Sequence, residues 1–423
     1  MANRFENKVR VLDLIRARGQ VSRPVLSEVL AINLPTISSL TKELLDERLI
    51  HAEGFDKSDG GRRPELLALN PGFSTAMGLE LSLSGIRGVL TDLSGKVLDR
   101  EEGPKKAPAE PEEMIDAVLA VAESLLARSG ERRPVGVGLG LAGLSDETGR
   151  VWRYFPHRKT WRDVALAERL EQRLGIPARL ENDVQAATLA ELRYGQARGL
   201  RDVLYLHIGH GIACGIVVDG KLYTGATRNA GEFGHTILEP SGPICYCGNY
   251  GCLESLAAPA AMVEQAGQAL RKGVLSSAGL RLAEGQTLTP GALLRAADDG
   301  DRLAENVVLK AAEYIGLGLA NLVNFFNPHG VIFGGEILVR GHRVLNEGIE
   351  RTFRQRVLPV RQAHTPVLPS SLGRDATALG GAMVVFEELF ERPEALFALA
   401  HGQPPLVESS PARREEVAGG RRR

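Results

Sequence analysis

The sequence predicts an α/β protein of two lobes, preceded by a small, mostly helical N-terminal domain. Three observations carry that expectation. The first 70 residues hold helical apolar stripes closed by a glycine turn and a short strand. From Met77 onward, short apolar strands ending in glycine turns alternate with helical patterns. And 423 residues are too many for one ordinary hydrophobic core.

The elements follow in order. Val11, Leu12, Leu14 and Ile15 form one apolar helix face. Ser22 ahead of Pro24 marks a second helix, continued by Leu26, Val29 and Leu30. Asn33 is suited to cap a third, with Pro35 in its first turn. Ile37, Leu40, Leu44 and Leu45 make a single stripe there, while Thr36, Ser38, Ser39 and Lys42 occupy the opposite face. A glycine-rich turn, Ser58-Asp59-Gly60-Gly61-Arg62-Arg63-Pro64, leads into a returning strand at Leu66, Leu67 and Leu69.

Strands are expected at Met77–Leu81, Ile86–Asp92, Val135–Leu141, Val203–Ile208, Ile212–Val218 and Val331–Phe333. Helices are expected at Glu112–Arg128, Val164–Leu174 and Asn306–Phe326. The hairpin turn Leu93-Ser94-Gly95-Lys96 makes the sheet mixed. The region 75–395 is too long for a single sheet lobe, so two lobes with a cleft are expected, divided near residue 187, with a helix at about 378–395 returning to the first. Residues 402–423 are rich in Pro, Glu, Ser and Arg, lack any stripe, and are expected to be disordered.

Composition narrows the class. The chain is 43% hydrophobic and 24% charged, with a net charge of −1, the balance of a soluble globular protein. No global basic field exists, so any nucleic-acid contact must come from local placement of charge. The N-terminus, Met1–Arg10, has no apolar core and is not a secretory signal. No apolar run reaches the roughly 18 residues of a membrane helix, so a cytoplasmic protein without membrane contact is expected.

Of four cysteines, Cys245, Cys247 and Cys252 crowd into eight residues, a spacing that points to metal. With His235 they offer one imidazole and three thiolates, the donor set of tetrahedral zinc. Gly248 and Gly251 allow the backbone reversal that returns Cys252 to its partners. Four protein ligands leave no open position, so one structural zinc per chain is expected. Cys214, alone in a strand, reads as core.

Gly231-Glu232-Phe233-Gly234-His235, followed by Cys245-x-Cys247-Gly-x-x-Gly251-Cys252-Leu-Glu254, resembles the signature of the ROK family of repressors and sugar kinases. Glu181-Asn182-Asp183 resembles that family's sugar-binding and catalytic segment, with Trp161-Arg162-Asp163-Val164 and Leu174-Gly175-Ile176-Pro177 upstream. Gly334-Gly335 resembles its nucleotide-side glycine pair. The resemblance covers roughly residues 75–395 and is nearest in kind to the xylose-, N-acetylglucosamine- and glucose-type ROK repressors. It implies the two-lobed, actin-like ATPase fold shared with hexokinase. It also implies a sugar pocket of Asn182, Asp183, Glu232, His235 and Glu254, since paired carboxylates and amides suit a ring of hydroxyls. Leu141-Ala142-Gly143 and Arg158-Lys159-Thr160 are candidates for setting which sugar fits.

The kinase chemistry fits less well. Asp183 matches the catalytic base of a ROK kinase. Those kinases open the domain with Asp-x-Gly-Gly-Thr, where this chain reads Glu80-Leu81-Ser82-Leu83-Ser84. Their second loop, Gly-Thr-Gly-Ile-Gly-Gly-Gly, is here Gly209-His210-Gly211-Ile212-Ala213-Cys214-Gly215, different at three of seven positions. Phosphoryl transfer rests on positioning and charge stabilisation, so two altered phosphate loops argue against ATP binding and against an enzyme.

The N-terminal helices resemble the winged helix-turn-helix of ROK repressors. Asn33–Leu40 stands at the recognition helix and Gly60-Gly61-Arg62-Arg63-Pro64 at the wing. DNA-contacting candidates are therefore Pro35, Thr36, Ser38, Ser39, Lys42, Arg62 and Arg63. Residues 1–70 carry eleven basic and ten acidic residues, so charge alone does not mark this end as a DNA binder. Together the resemblances imply a sugar-responsive transcription repressor of carbohydrate genes. Its partners would be operator DNA, a monosaccharide or sugar-phosphate effector, and a second copy of the chain in a homodimer or dimer of dimers. The alternative is a ROK sugar kinase with an N-terminal regulatory extension.

Overall fold

The computed structural model describes residues 4–56, 63–156, 158, 160–277, 287–362 and 364–402. The segment expected to be disordered lies almost wholly outside them, as does Arg62.

The N-terminal unit is a winged helix-turn-helix. Helices α1 (Arg4–Arg18), α2 (Arg23–Leu30) and α3 (Leu34–Asp46) are combined with strands β1 (Gln20–Ser22), β2 (Ile50–Phe55) and β3 (Glu65–Leu69), which pair antiparallel in the order β1-β3-β2. Asn33 caps α3, its side-chain oxygen accepting from the Thr36 N–H at 2.9 Å, and Pro35 sits in the first turn where no N–H is needed. Ser22 starts α2 by position only; its hydroxyl makes no cap bond. The stripe of α3 differs in one member. Leu45 is half-buried, whereas Thr41 is fully buried, its hydroxyl satisfied by the Ser38 carbonyl and the Arg23 guanidinium. Val29 lies exposed rather than in the core.

Two five-stranded mixed sheets follow, and they repeat one plan. The first comprises β4 (Thr75–Ser82), β5 (Gly85–Asp92), β6 (Val97–Glu102), β7 (Val137–Leu141) and, after the short hairpin β8 (Leu144–Ser145) and β9 (Trp152–Tyr154), β10 (Ala178–Asn182), in the order β10-β7-β4-β5-β6. The second comprises β11 (Val203–Ile208), β12 (Ile212–Val218), β13 (Lys221–Leu222), β14 (Gly330–Gly334) and β15 (Val367–Pro369), in the order β13-β12-β11-β14-β15. Each has an antiparallel meander on one side and two parallel strands on the other. Among the expected strands, Val135 precedes β7, because its N–H goes to the Thr75 carbonyl outside the ladder. Gly95 takes φ +81 in the expected hairpin turn between β5 and β6.

A helix, Asp183–Tyr194, carries the chain from the first sheet to the second, and residue 187 lies inside it. The helix expected at about 378–395 spans Ala376–Glu391 and is followed by a separate helix, Pro393–Ala400. The break is at Pro393, which offers no N–H and disfavours helical geometry at Arg392. Helix Ala376–Glu391 lies flush on the first sheet. A Cβ at Gly78 would sit 1.8 Å from the Ala378 carbonyl oxygen, and one at Gly138 would sit 1.9 Å from that of Gly381. Only glycine permits that approach.

The winged helix is packed onto this C-terminal pair. Phe5 of α1 meets Phe397 with ring centroids 5.3 Å apart, and the Arg16 guanidinium lies 4.7 Å from the Phe390 ring. Val11, Leu12 and Ile15 share one core with Phe386, Phe390 and Leu396. No helix among the described residues is long and apolar enough to cross a membrane.

Candidate functional site

The metal centre is built by the segment between β13 and the helix Leu253–Ala257. His235 ends a short 3-10 turn, and the cysteines follow on a compact loop closed by Cys245 N–H to Asn249 O at 2.7 Å and Gly251 N–H to Pro243 O at 2.9 Å. Gly251 has φ +68, and a Cβ there would meet the Glu239 carbonyl oxygen at 1.6 Å, so the reversal demands glycine. His235, Cys245, Cys247 and Cys252 converge, their ligand atoms all within 4.8 Å of one another. With bonds of about 2.3 Å to sulfur and about 2.0 Å to nitrogen, tetrahedral zinc spaces sulfurs about 3.8 Å apart and sulfur from nitrogen about 3.5 Å. Here Cys247 Sγ and Cys252 Sγ are 3.7 Å apart, and Cys245 Sγ and His235 Nδ1 are 3.6 Å apart. The sulfurs are too distant for a disulfide, which needs about 2.05 Å. Burial pushes the Cys245 and Cys252 thiols up, while the Asn249 backbone pulls Cys247 down. The donor set and its spacing fit zinc, whose charge would stabilise the three thiolates. Cys214 is buried in β12, as expected of a core residue.

Beside it, a cavity of about 560 Å³ opens between the two lobes. All five residues expected for a sugar pocket line it. Asn182 and Asp183 come from the first lobe; Glu232, His235 and Glu254 come from the second. Asn182 is largely engaged. Its oxygen caps the helix Asp183–Tyr194 by accepting from the Val184 and Gln185 N–H groups, and its amide donates to the Gly143 carbonyl at 3.0 Å. Asp183 sits at the first turn of that helix, where the positive end of the helix dipole favours a carboxylate. Glu254 accepts from the Ile212 N–H at 3.2 Å, tying the metal loop to the turn between β11 and β12. Burial raises the pKa of Glu232, with Asp183 and Glu254 adding to it and His235 opposing.

Several residues in and behind the cavity wall were not marked by the sequence. Tyr246 carries its hydroxyl 2.9 Å from His235 Nε2 and lines the cavity with Tyr154. Arg228 pairs with Glu181, which is 4% exposed, and so ties the loop before Glu232 to the first lobe. Gln185 adds hydrogen bonds to the Arg228 and Ala230 carbonyls. Of the two segments expected to set sugar fit, Ala142 and Gly143 line the cavity. Arg158 and Thr160 do not, and Lys159 lies outside the described residues. The Trp161 N–H donates to the Arg158 carbonyl at 3.2 Å, and Trp161 packs with Trp152 and Phe155 in a buried aromatic cluster.

The loop of residues 80–84, which differs from the kinase pattern, also borders the cavity. Arg87 of β5 donates to Glu80 at 2.9 Å and to the Arg374 carbonyl at 3.0 Å. Burial pushes Glu80 up to about 7; Arg87 opposes and the Asp183 charge reinforces. Ser82 and Ser84 bond each other at 2.9 Å across the β4–β5 turn, with Leu83 facing the cavity. Gly335 takes φ +82 where the chain crosses β11, a Cβ there falling 2.4 Å from the Ile208 carbonyl oxygen. A second cavity of about 600 Å³ adjoins across Gly209, His210, Glu336 and Arg340.

At the N-terminal end, Pro35, Ser38, Ser39 and Lys42 are exposed and Thr36 is half-buried. Ser39 is engaged, its hydroxyl accepting from Arg4 at 2.7 Å. Arg63 is exposed beside the wing.

Comparison with known proteins adds the following. The model of the ROK family matches residues 76–388. A xylose repressor of Caldicellulosiruptor bescii is 30% identical over 390 residues, covering 92% of this chain and 97% of its own. A crystal structure of a ROK family transcriptional regulator, a homolog of the Escherichia coli Mlc protein, superposes with a TM-score of 0.78 at 27% identity, covering 94% of this chain and 99% of that one. A ROK family glucokinase from Streptomyces griseus, in complex with glucose and AMPPNP, gives a TM-score of 0.65 at 29% identity, covering 74% of this chain and 100% of its own.

Proposed function

The chain belongs to the ROK family, and from that premise we propose that it is a sugar-responsive transcription repressor, released from the operator of carbohydrate uptake or catabolism genes when a sugar enters its cleft. Residues 1–70 form the DNA-binding domain and residues 75–395 the sugar-binding domain. A relative matching 92% of this chain carries the name xylose repressor, which accords with that reading.

One observation carries it above the others. Helix Ala376–Glu391 begins at the cavity, where Ala376 and Thr377 are lining residues, and ends against α1 of the winged helix. A sugar bound by Asn182, Asp183, Glu232, His235 and Glu254 thus meets the element on which the DNA-binding helices rest. Zinc on His235, Cys245, Cys247 and Cys252 holds the loop that presents Glu232 and Glu254. Two chains as a dimer would set two recognition helices in successive major grooves, about 34 Å apart. Pro35, Thr36, Ser38 and Lys42 would read or position the operator there, and Arg63, with Arg62, would enter the flanking minor groove. Release requires that the sugar bind more tightly to the lobe arrangement that DNA disfavours.

Gel-shift titration of an operator fragment against a panel of monosaccharides and sugar phosphates tests the reading. One sugar should release the DNA; no effect from any sugar would overturn effector control.

The second reading, a sugar kinase, is favoured by Asp183 at the cavity and by the adjoining second cavity. The Glu80–Arg87 pair at the altered first loop weighs against it. A coupled assay for ADP separates the two. Turnover at the roughly 1–100 per second of working kinases would overturn the repressor reading.

A further inference from the structure

The turn between α2 and α3 is held by its own hydrogen bonds. Ala31 closes α2 in the left-handed region at φ 53, its N–H reaching the Glu28 carbonyl. The Ile32 N–H donates to the Ser27 carbonyl at 3.2 Å, and the Ser27 hydroxyl donates to the Ile32 carbonyl at 2.6 Å. Asn33 then caps α3, which commits its side-chain oxygen to the Thr36 N–H. Leu30 and Ile32, on the near side of the cap, pack against the core of the domain. Leu34, the first helical residue beyond it, does not follow them inward and is 46% exposed.

Leu34 starts the outward face of α3. Leu34, Ser38 and Lys42 are spaced i, i+4, i+8 and all three are exposed, so they form one ridge. Ile37, Leu40, Thr41 and Leu44 are the residues that the helix buries. In a helix-turn-helix the N-terminal residues of the second helix meet base edges in the major groove. Here the ridge opens on a side chain with neither donor nor acceptor, and Pro35 beside it has none either. The major-groove edges of the bases present donors and acceptors, with one exception, the C5-methyl of thymine. An apolar side chain pressed on any other edge strips water from a polar group and gives nothing back. Pressed on the methyl, it removes apolar surface from water on both partners.

We propose that Leu34 reads the methyl group of a thymine, at the base pair that the leading turn of α3 meets in each operator half-site. The inference rests on the DNA-binding reading above. It adds a chemical class of contact to that reading: Ser38 offers a hydroxyl and Lys42 a charge, whereas Leu34 offers only shape and apolar surface. No other standard base carries a methyl on its major-groove edge, so the contact discriminates without any hydrogen bond. Because it touches no phosphate, it adds sequence preference without adding salt dependence.

The test uses the full-length, zinc-loaded protein without sugar. Its probe is a duplex of about 30 base pairs, long enough for two half-sites, selected by the wild type from a random-sequence pool. Each thymidine is replaced in turn by deoxyuridine, which lacks only the methyl group. Affinity is followed by fluorescence anisotropy across a salt series for wild type, L34A and L34M, with the melting temperature of each measured. In the wild type, one thymidine in each half-site should stand out, its replacement weakening binding about fourfold, the worth of one buried methyl group. L34M should keep that sensitivity. L34A should bind the thymidine duplex at least about fourfold more weakly and treat thymidine and deoxyuridine alike at those positions, with its salt slope and melting temperature close to those of wild type. A wild type indifferent to every replacement, or an L34A protein still sensitive at the same positions, overturns the inference while DNA binding stands. Failure of the wild type to select any duplex overturns the DNA-binding reading as well.

Discussion

Arg16 of the first helix and Glu387 of helix Ala376–Glu391 meet at 3.3 Å, guanidinium nitrogen to carboxylate oxygen. The other Glu387 oxygen accepts from Arg193 at 2.7 Å, at the far end of the helix that Asp183 begins. One carboxylate therefore joins the winged helix to both helices that start at the cavity. Replacing Glu387 with Gln should lower stability by only about 1 kcal/mol, as for a partly exposed pair. The larger effect should fall on coupling. Operator release should require several-fold more sugar, while sugar affinity without DNA stays unchanged. Gel-shift and calorimetric titrations on the same variant would separate the two, and equal coupling would exclude this contact from the signal path.

Arg228 protects a buried charge. Glu181 is pushed up by burial and held by Arg228 and its own backbone neighbour. Substituting Arg228 with Ala should destabilise the fold by about 3 kcal/mol, the usual cost of orphaning a buried ion. It should also weaken sugar binding, because the loop before Glu232 loses its tie. Adding E181Q should recover part of the stability, since the orphaned charge is gone. Chemical denaturation of the single and double variants tests this, and additivity would refute the pairing.

Glu80 imposes a pH dependence of unusual sign. Its folded pKa lies near 7, above the ordinary carboxylate value of 4.5. The folded state therefore binds this proton more tightly than the unfolded one. Its contribution is fully present below pH 4.5 and is lost as pH rises to about 7. The E80Q variant should gain stability relative to wild type across that window, by on the order of 1–3 kcal/mol at pH 8. Urea denaturation of both proteins between pH 5 and pH 8 would show the difference; parallel curves would contradict it.

Removal of metal should act locally first. Chelation at neutral pH should lower Tm by several degrees, as the loss of about 2–3 kcal/mol does in a chain of this size. Sugar affinity should fall at least tenfold, while the circular dichroism of the first lobe and winged helix persists. Zinc should restore affinity. Unaltered sugar binding by the chelated protein would mean that the metal loop does not position Glu232 and Glu254.

At the DNA end, R63A should weaken operator binding about tenfold and reduce the slope of log K against log salt by about one. Lys42→Ala should behave similarly, whereas S38A should change sequence preference with little effect on salt dependence. Fluorescence anisotropy across a salt series distinguishes them. Identical slopes for R63A and wild type would remove the wing from the interface.

How much of this was legible beforehand depends on distance along the chain. The zinc ligands were readable because three of four fall within one short loop, where spacing and donor chemistry constrain the fold by themselves. The cap at Asn33 was readable for the same reason. The pairing of Arg228 with Glu181 was not, because 47 residues separate them and only the closing of two lobes brings them together. Tyr246 was hidden differently. Its neighbours drew attention, but a residue between ligands carries no signature until the loop fixes where it points. Leu45 yielded its stripe position to Thr41 because a hydroxyl with two partners buries without penalty. The mismatch at Glu80 was legible, yet the arginine paired with it was not, since Arg87 lies outside both altered loops.

The two sheets share one strand order, but their attachments differ. The metal-bearing insertion belongs to the second copy, and the helix that supports α1 lies on the first. Under the proposed function, the lobe that carries the metal loop would sense the effector and the lobe that carries α1 would answer it, so a signal would have to cross the cleft between them.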